Sequence, residues 1–134
     1  MRILITGDRN WDFKQAEAVV NRLIAKHTRE DMLIVHGDCP TGVDAAFELA
    51  ATRWGILTEK HPANWDKFGD RAGPIRNQEM VDLNADFCIA VHRGLSRSKG
   101  TKDCVNRCLK AAIVVYLISD ASAKPQRIYS TEKA

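Results

Sequence analysis

The stretch Met32-Leu33-Ile34-Val35-His36-Gly37-Asp38-Cys39-Pro40-Thr41-Gly42-Val43-Asp44 decides the fold class. Met32 to Val35 is an uninterrupted apolar run of the length expected for a buried strand. The segment from Gly37 to Gly42 breaks that run with small, polar and proline residues, which is the composition of a turn. Helical spacing follows at once, with Val43, Ala46, Phe47, Ala50 and Trp54 along one stripe. Thr41 and Asp44 read as capping residues at its start. Gly55 closes it, because glycine enters the left-handed conformation without a Cβ penalty. Strand, glycine turn and amphipathic helix in direct succession make one β-to-α unit.

The same succession recurs on both sides. Arg2 to Thr6 is a short β-branched strand, followed by the turn Thr6-Gly7-Asp8-Arg9-Asn10-Trp11. Asp12 with Gln15 reads as a capping box for a helix carrying Phe13, Ala16, Val20, Leu23 and Ile24, up to about His27. Ile56 to Lys60 is a weaker strand, and Ala63 to Ala72 has no clear period and reads as a loop over the rim. Ala72-Gly73-Pro74-Ile75-Arg76-Asn77 opens a third helix, with proline in the first turn, where no N–H is missed. Asp86 to Val91 is a strand, and His92 to Lys99 is a basic loop. Ser98-Lys99-Gly100-Thr101-Lys102-Asp103 begins a fourth helix, capped by Thr101 and carrying Val105, Cys108 and Leu109. Ala112 to Ile118 is the last strand, and a polar tail follows. Five strands alternating with four helices predict an α/β domain over 1–118, with a mainly parallel sheet covered on both faces, and a tail over 119–134.

The totals narrow the function. A chain of 134 residues with 45% hydrophobic and 28% charged residues is an ordinary globular composition for one domain. A net charge of +3, evenly spread, does not point to duplex DNA. No apolar stretch approaches the roughly 20 residues of a membrane span. Met1-Arg2 leads directly into a strand, so no signal peptide is expected. Cys39, Cys88, Cys104 and Cys108 form no CxxC pair, and Cys88 falls in a buried strand, so reduced thiols and a cytoplasmic setting are expected. Zinc ligation by Cys104 and Cys108 with His36, His61 and His92 fits no familiar spacing, and neither a metal nor a cofactor is expected.

Right-handed crossovers place every strand-to-helix turn on one rim of the sheet. Helix N-termini converge there with unpaired N–H groups, which suits a phosphate or carboxylate. The chain lacks GxGxxG and GxxxxGK[ST], so dinucleotide oxidoreductases and P-loop NTPases lose their main support. Arg9 reads equally as a ligand contact and as a solvated arginine on a tight turn. Asp38 is poorly explained by capping and suits ribose hydroxyls. Arg76, in a first helical turn, opposes the helix dipole, so binding an anion explains it better than local stability does. Gly100 and Thr101 offer N–H groups and a hydroxyl, with Lys99 adding charge. Asp103 reads equally as dipole compensation and as a catalytic carboxylate.

Taken together, Gly7-Asp8-Arg9-Asn10-Trp11, His36-Gly37, Gly42-Val43-Asp44-Ala45-Ala46, Trp54, Pro62-Ala63-Asn64-Trp65, Ala72-Gly73-Pro74-Ile75-Arg76-Asn77-Gln78-Glu79-Met80, Ala85-Asp86 and Gly100-Thr101-Lys102-Asp103 resemble the SLOG superfamily, in its YspA-like, cpYpsA-related branch. The resemblance runs from about Met1 to Val115. It implies a Rossmann-like three-layer fold binding a nucleotide or nucleotide-derived molecule. Thr6, Gly7 and Arg9 would contact one end of the ligand, and Gly37, Asp38 and Gly42 its middle. Arg76, Gly100 and Thr101 would hold the phosphate, with Asn77 a further ligand-binding residue. Lonely Guy phosphoribohydrolases, from a related branch, carry PGGxGTxxE with an upstream arginine; Arg76 and Gly100-Thr101 match, but Cys104 stands at the glutamate position. Asp103 lies one residue early, about 100° around a helix.

Two readings therefore stand. In one the chain hydrolyses an N-glycosidic bond, with Arg76 on the phosphate and Asp103 stabilising an oxocarbenium ion or activating water. In the other it senses or sequesters a nucleotide signal without turnover. A weaker third reading is single-stranded nucleic acid, from Arg93, Arg97, Lys99 and Lys102 with Trp11 and Trp65 as stacking rings. Related domains form homodimers, so a homo-oligomer is expected, with Trp54, Trp65 and Phe68 as candidate contacts.

Overall fold

Six strands pair into one sheet in the computed structural model, which describes residues 1–8, 10–11, 13–119 and 124–132. They are β1 (Arg2–Gly7), β2 (Leu33–His36), β3 (Leu57–Lys60), β4 (Phe87–Val91), β5 (Val115–Ile118) and β6 (Gln126–Ile128). The helices are α1 (Phe13–Lys26), α2 (Val43–Arg53), the single turn α3 (Trp65–Phe68), α4 (Ala72–Asp82) and α5 (Gly100–Lys110). Across the sheet the order is β3-β2-β1-β4-β5-β6, and all pairs are parallel except the antiparallel β5–β6. This is the doubly wound Rossmann order, which reverses direction between β1 and β4 and leaves a crevice at their carboxyl ends. The expected three-layer α/β fold is therefore present, with one more strand than the five expected.

Strand alternation sorts the core into two layers. Ile3 and Ile5 join Ile34, Ile89 and Val91 under α1 and α2, where Phe47 is fully buried. Leu4 joins Val35, Cys88 and Ala90 under α4 and α5, against Met80, Cys104, Val105 and Cys108. Register pairs Ile3 with Ile34 and Phe87, and Thr6 and Gly7 with Ala90 and Val91. The central strand is apolar on both faces because helices cover both. Among the described residues no helix is long and apolar enough to cross a membrane.

Several local expectations need correction. Thr41 does not cap α2; Gly42 is the cap residue, at φ 78°, and Asp44 Oδ2 instead accepts from the Cys39 N–H at 3.2 Å. Thr101 does not cap α5 either; the Ser98 hydroxyl accepts from the Lys102 N–H at 2.9 Å, and Thr101 is buried. The expected cap Asp12 lies outside the described residues. The segment expected as a loop over 63–72 contains α3, which is capped by Asn64 Oδ1 accepting from the Lys67 N–H at 3.1 Å, and then a 3-10 turn that runs into α4. A single capped turn with no buried residue has no apolar period to read. In the tail, β6 pairs Ile128 with Val115 and Gln126 with Leu117. The buried Thr131 hydroxyl donates to Asn106 Oδ1 at 3.0 Å, which fastens this end to α5. Gly55, expected to close α2, does adopt the left-handed conformation, at φ 71°.

Candidate functional site

The turn after β1 is built by packing. The Asp8 N–H donates to Val91 O and the Val43 N–H donates to Asp8 O, both at 2.8 Å, so β1, β4 and α2 meet there. A Cβ on Gly7 would lie 2.5 Å from Val91 O and 2.9 Å from Val43 Cγ2. Gly7 lines the site, but the scaffold is what excludes a side chain from this position. Arg9, expected as a contact in the same turn, lies outside the described residues.

At the end of β2, the buried His36 organises the second turn. Its Nδ1 accepts the Asp38 N–H at 3.0 Å, which places the ring proton on Nε2, donated to Glu48 Oε1 at 2.8 Å. Asp38 is held at φ 56°, in the left-handed region, with its side chain exposed at the rim. Glu48 also accepts from Thr58 and Thr52, each at 3.2 Å. Burial alone would raise the Glu48 pKa, but the hydrogen bonds from His36 and the two threonines outweigh it and hold the carboxyl below its usual value. A depressed carboxylate contributes stability that is full above the unfolded pKa and is lost as pH falls through the folded one. Glu48→Gln should therefore be less stable than the wild type at pH 7. The gap should close as chemical denaturation is repeated at falling pH, until the pH lies below both pKa values.

Arg76 joins the second turn to the third. Its Nη1 donates to Gly37 O at 2.6 Å and its Nε to Asn77 Oδ1 at 3.0 Å. A Cβ on Gly37 would overlap the guanidinium, lying 2.6 Å from Cζ, so this glycine makes room for Arg76. The buried Asn77 extends the chain: its Nδ2 donates to Asp103 Oδ2 at 3.0 Å and to Gly100 O at 3.3 Å. Arg107 Nε donates to the same Asp103 oxygen at 2.9 Å, and Arg107 Nη1 to Gln78 Oε1 at 3.0 Å. Three of the four turns are thus tied into one polar lattice with Arg76 at its centre.

This lattice lies between two adjoining cavities at the carboxyl ends of the strands. One, of about 380 Å³, is lined by the expected residues Thr6, Gly7, Gly37, Arg76, Asn77, Gly100 and Thr101. The other, of about 760 Å³, takes in Gly37, Asp38, Arg76, Asn77, Gly100 and Asp103. Gly42 lines neither; its role is to start α2. Sequence reasoning missed His92 and Asn10 in the first cavity as ligand contacts; Trp65, expected as a stacking ring for nucleic acid or an association contact, lines the second. His92 follows directly on β4, and that position was its only signal. Its Nδ1 accepts the Gly94 N–H at 2.9 Å, so the ring offers an Nε2–H donor. Trp54, an expected association contact, is half-buried and donates from Nε1 to Glu17 Oε2 at 3.2 Å.

Chemically the site suits an anion flanked by hydrogen-bonding groups. The first-turn N–H groups of an α-helix lack intrahelical acceptors. Ser98 takes that of Lys102, and those of Gly100 and Thr101 remain at the cavity edge beside Arg76 and Lys99. Among the described residues, no group of three His, Cys, Asp or Glu side chains is placed to hold a metal ion. Cys104 is fully buried, and its hydrogen bond with Cys108, together with burial, holds its thiol well above the usual range. A neutral, enclosed thiol does not serve as a general base.

Residues 1–68 match the family described as YAcAr: YspA, cpYpsA-related SLOG family. The chain is also 36% identical over 128 residues to the Gene 61 protein of Mycobacterium phage D29, an alignment spanning 89% of this chain and 97% of that one. No solved structure matches it.

Proposed function

The chain belongs to the YspA, cpYpsA-related SLOG family, whose membership suggests nucleotide-related binding or processing, and we propose that it binds a nucleoside 5′-phosphate-type ligand without turning it over. The observation that carries this reading is the meeting of Arg76, Lys99 and the α5 N-terminus in a cavity at the β1/β4 crevice. The phosphate sits against the N–H groups of Gly100 and Thr101, where charge and dipole act together. Thr6, Asn10 and His92 supply further hydrogen-bonding groups to the same cavity.

The rival reading is N-glycosidic hydrolysis, favoured by Asp103. Asn77 and Arg107 both bond its Oδ2, which leaves Oδ1 uncommitted by those bonds at the edge of the larger cavity. In that reading Arg76 holds the phosphate while Asp103 activates water or stabilises the oxocarbenium ion. Against it stands Cys104, enclosed in the core where a hydrolase of this type needs a glutamate.

Isothermal titration with the ribonucleoside 5′-monophosphates and their unphosphorylated nucleosides tests the binding reading. A monophosphate should bind at least about 30-fold more tightly than its nucleoside, the ratio expected for one charge-assisted anion contact. Chromatography of the same mixtures should show no free base. Base release that disappears in Asp103→Ala would replace the binding reading with the hydrolytic one.

A further inference from the structure

The two cavities share one charged partition. Resting on the nucleotide reading and extending it, we infer that the natural ligand is a two-part molecule: two ring-bearing groups joined through a phosphate-containing bridge. Gly37, Arg76, Asn77, Lys99 and Gly100 line both chambers. The anion-holding groups therefore stand where the chambers meet and not at a far end of either. A mononucleotide with its terminal phosphate at this partition fills one chamber and leaves the other to water. A ligand whose negative charge is internal fills both.

The two far ends are built for different groups. Thr6, Asn10, Asp44 and His92 furnish the smaller chamber with hydrogen-bond donors and acceptors. Pro40, Pro62, Ala63, Trp65 and Pro74 wall the larger chamber with flat apolar surface. Trp65 rests over the start of α4: a Cβ on Gly73 would lie 3.4 Å from Trp65 Cη2. The residue is nonetheless 56% exposed, which leaves it accessible to a planar partner. Base–aromatic stacking of this kind tolerates many bases, because every base has a π-face. At about 380 and 760 Å³, each chamber falls within the size range of small-molecule sites.

Titration calorimetry with each ribonucleoside 5′-monophosphate and the corresponding 5′–5′ diphosphate-linked dinucleoside tests this inference. The dinucleoside should bind about 10- to 100-fold more tightly than the monophosphate, the gain expected from one added stacking contact. Trp65→Ala should remove that gain while leaving the monophosphate affinity within about threefold, and Trp65→Phe should retain most of it. Equal affinities for the two ligands would overturn the two-part ligand and leave the nucleotide reading standing, as would a Trp65→Ala loss shared equally by both. Absence of binding by every probe at millimolar concentration would instead overturn the nucleotide reading, and this inference with it.

Discussion

Arg76→Ala is expected to weaken binding of a nucleoside 5′-monophosphate by about 100-fold or more, since removing one partner of a close charge pair costs roughly 2–5 kcal/mol. The guanidinium lines both cavities and is aimed by two of its own bonds, from Nη1 to Gly37 O and from Nε to Asn77 Oδ1. Those bonds leave Nη2 uncommitted, on a side chain that lines the same cavity as the α5 N-terminus. A fork held in this way is pre-organised for a phosphate, and little side-chain freedom remains to be lost on binding. Arg76→Lys should recover only part of the loss. A lysine keeps the charge, but it has no planar fork with which to bond Gly37 O and the phosphate together. Arg76→Ala also orphans the Gly37 carbonyl and Asn77 Oδ1, at about 1 kcal/mol each, so it should melt no more than roughly 10 °C below the wild type. Calorimetry beside a thermal melt separates the two effects. An affinity within threefold of the wild type would remove the phosphate from Arg76.

The second large effect is one of stability. Gly7→Ala should destabilise the fold by about 2–3 kcal/mol in urea denaturation, while Gly100→Ala should stay within about 0.5 kcal/mol of the wild type. Both glycines line the same cavity and both sit in strand-to-helix turns, so the sequence treats them alike. Their surroundings differ. At Gly7 the added methyl group meets backbone, the Val91 carbonyl in the β1–β4 ladder, and backbone cannot rotate out of the way. At Gly100 nothing lies within 4 Å of the added carbon. That open space is where a ligand comes closest to the α5 N–H groups. Gly100→Ala should therefore weaken monophosphate binding roughly tenfold while the melt stays unchanged. A stable Gly7→Ala protein would show that the crowding at β1 and β4 is relieved by a small strand shift, and Gly7 would then be a ligand-approach glycine like Gly100.

Both outcomes bear on how much of this site is legible in the residues alone. Arg76 was found because its place in a first helical turn works against the local dipole, a conflict visible without coordinates. Gly100 and Thr101 are legible because a glycine and a hydroxyl at a helix start offer N–H groups and an O–H to an anion. His92 is not legible as a ligand contact, because it offends no local rule and simply follows an apolar strand. Trp65 is legible as a stacking ring for nucleic acid or an association contact, but a four-residue helical turn with no buried face does not reveal which cavity it lines. The cap expectations at Thr41 and Thr101 failed for a related reason. Short polar side chains near a helix start are interchangeable as acceptors, and loop geometry selected Asp44 and Ser98 to bond the turn N–H groups.

What the sequence determined by itself is the alternation of strand and helix, and hence the parallel sheet with all its turns on one rim. Apolar periodicity is a local property, and right-handed crossover leaves little freedom beyond it. Only the tertiary structure decided which turns become neighbours. The strand order brings the turn after β1 beside the β4 end, and the crossover from β3 to β4 swings α4 across so that Arg76 reaches Gly37. It decided as well that Gly7 is empty for the sake of Val91 and Gly37 for the sake of Arg76. A glycine's own sequence context cannot say which atom needs the room, since that atom comes from a strand or helix far along the chain.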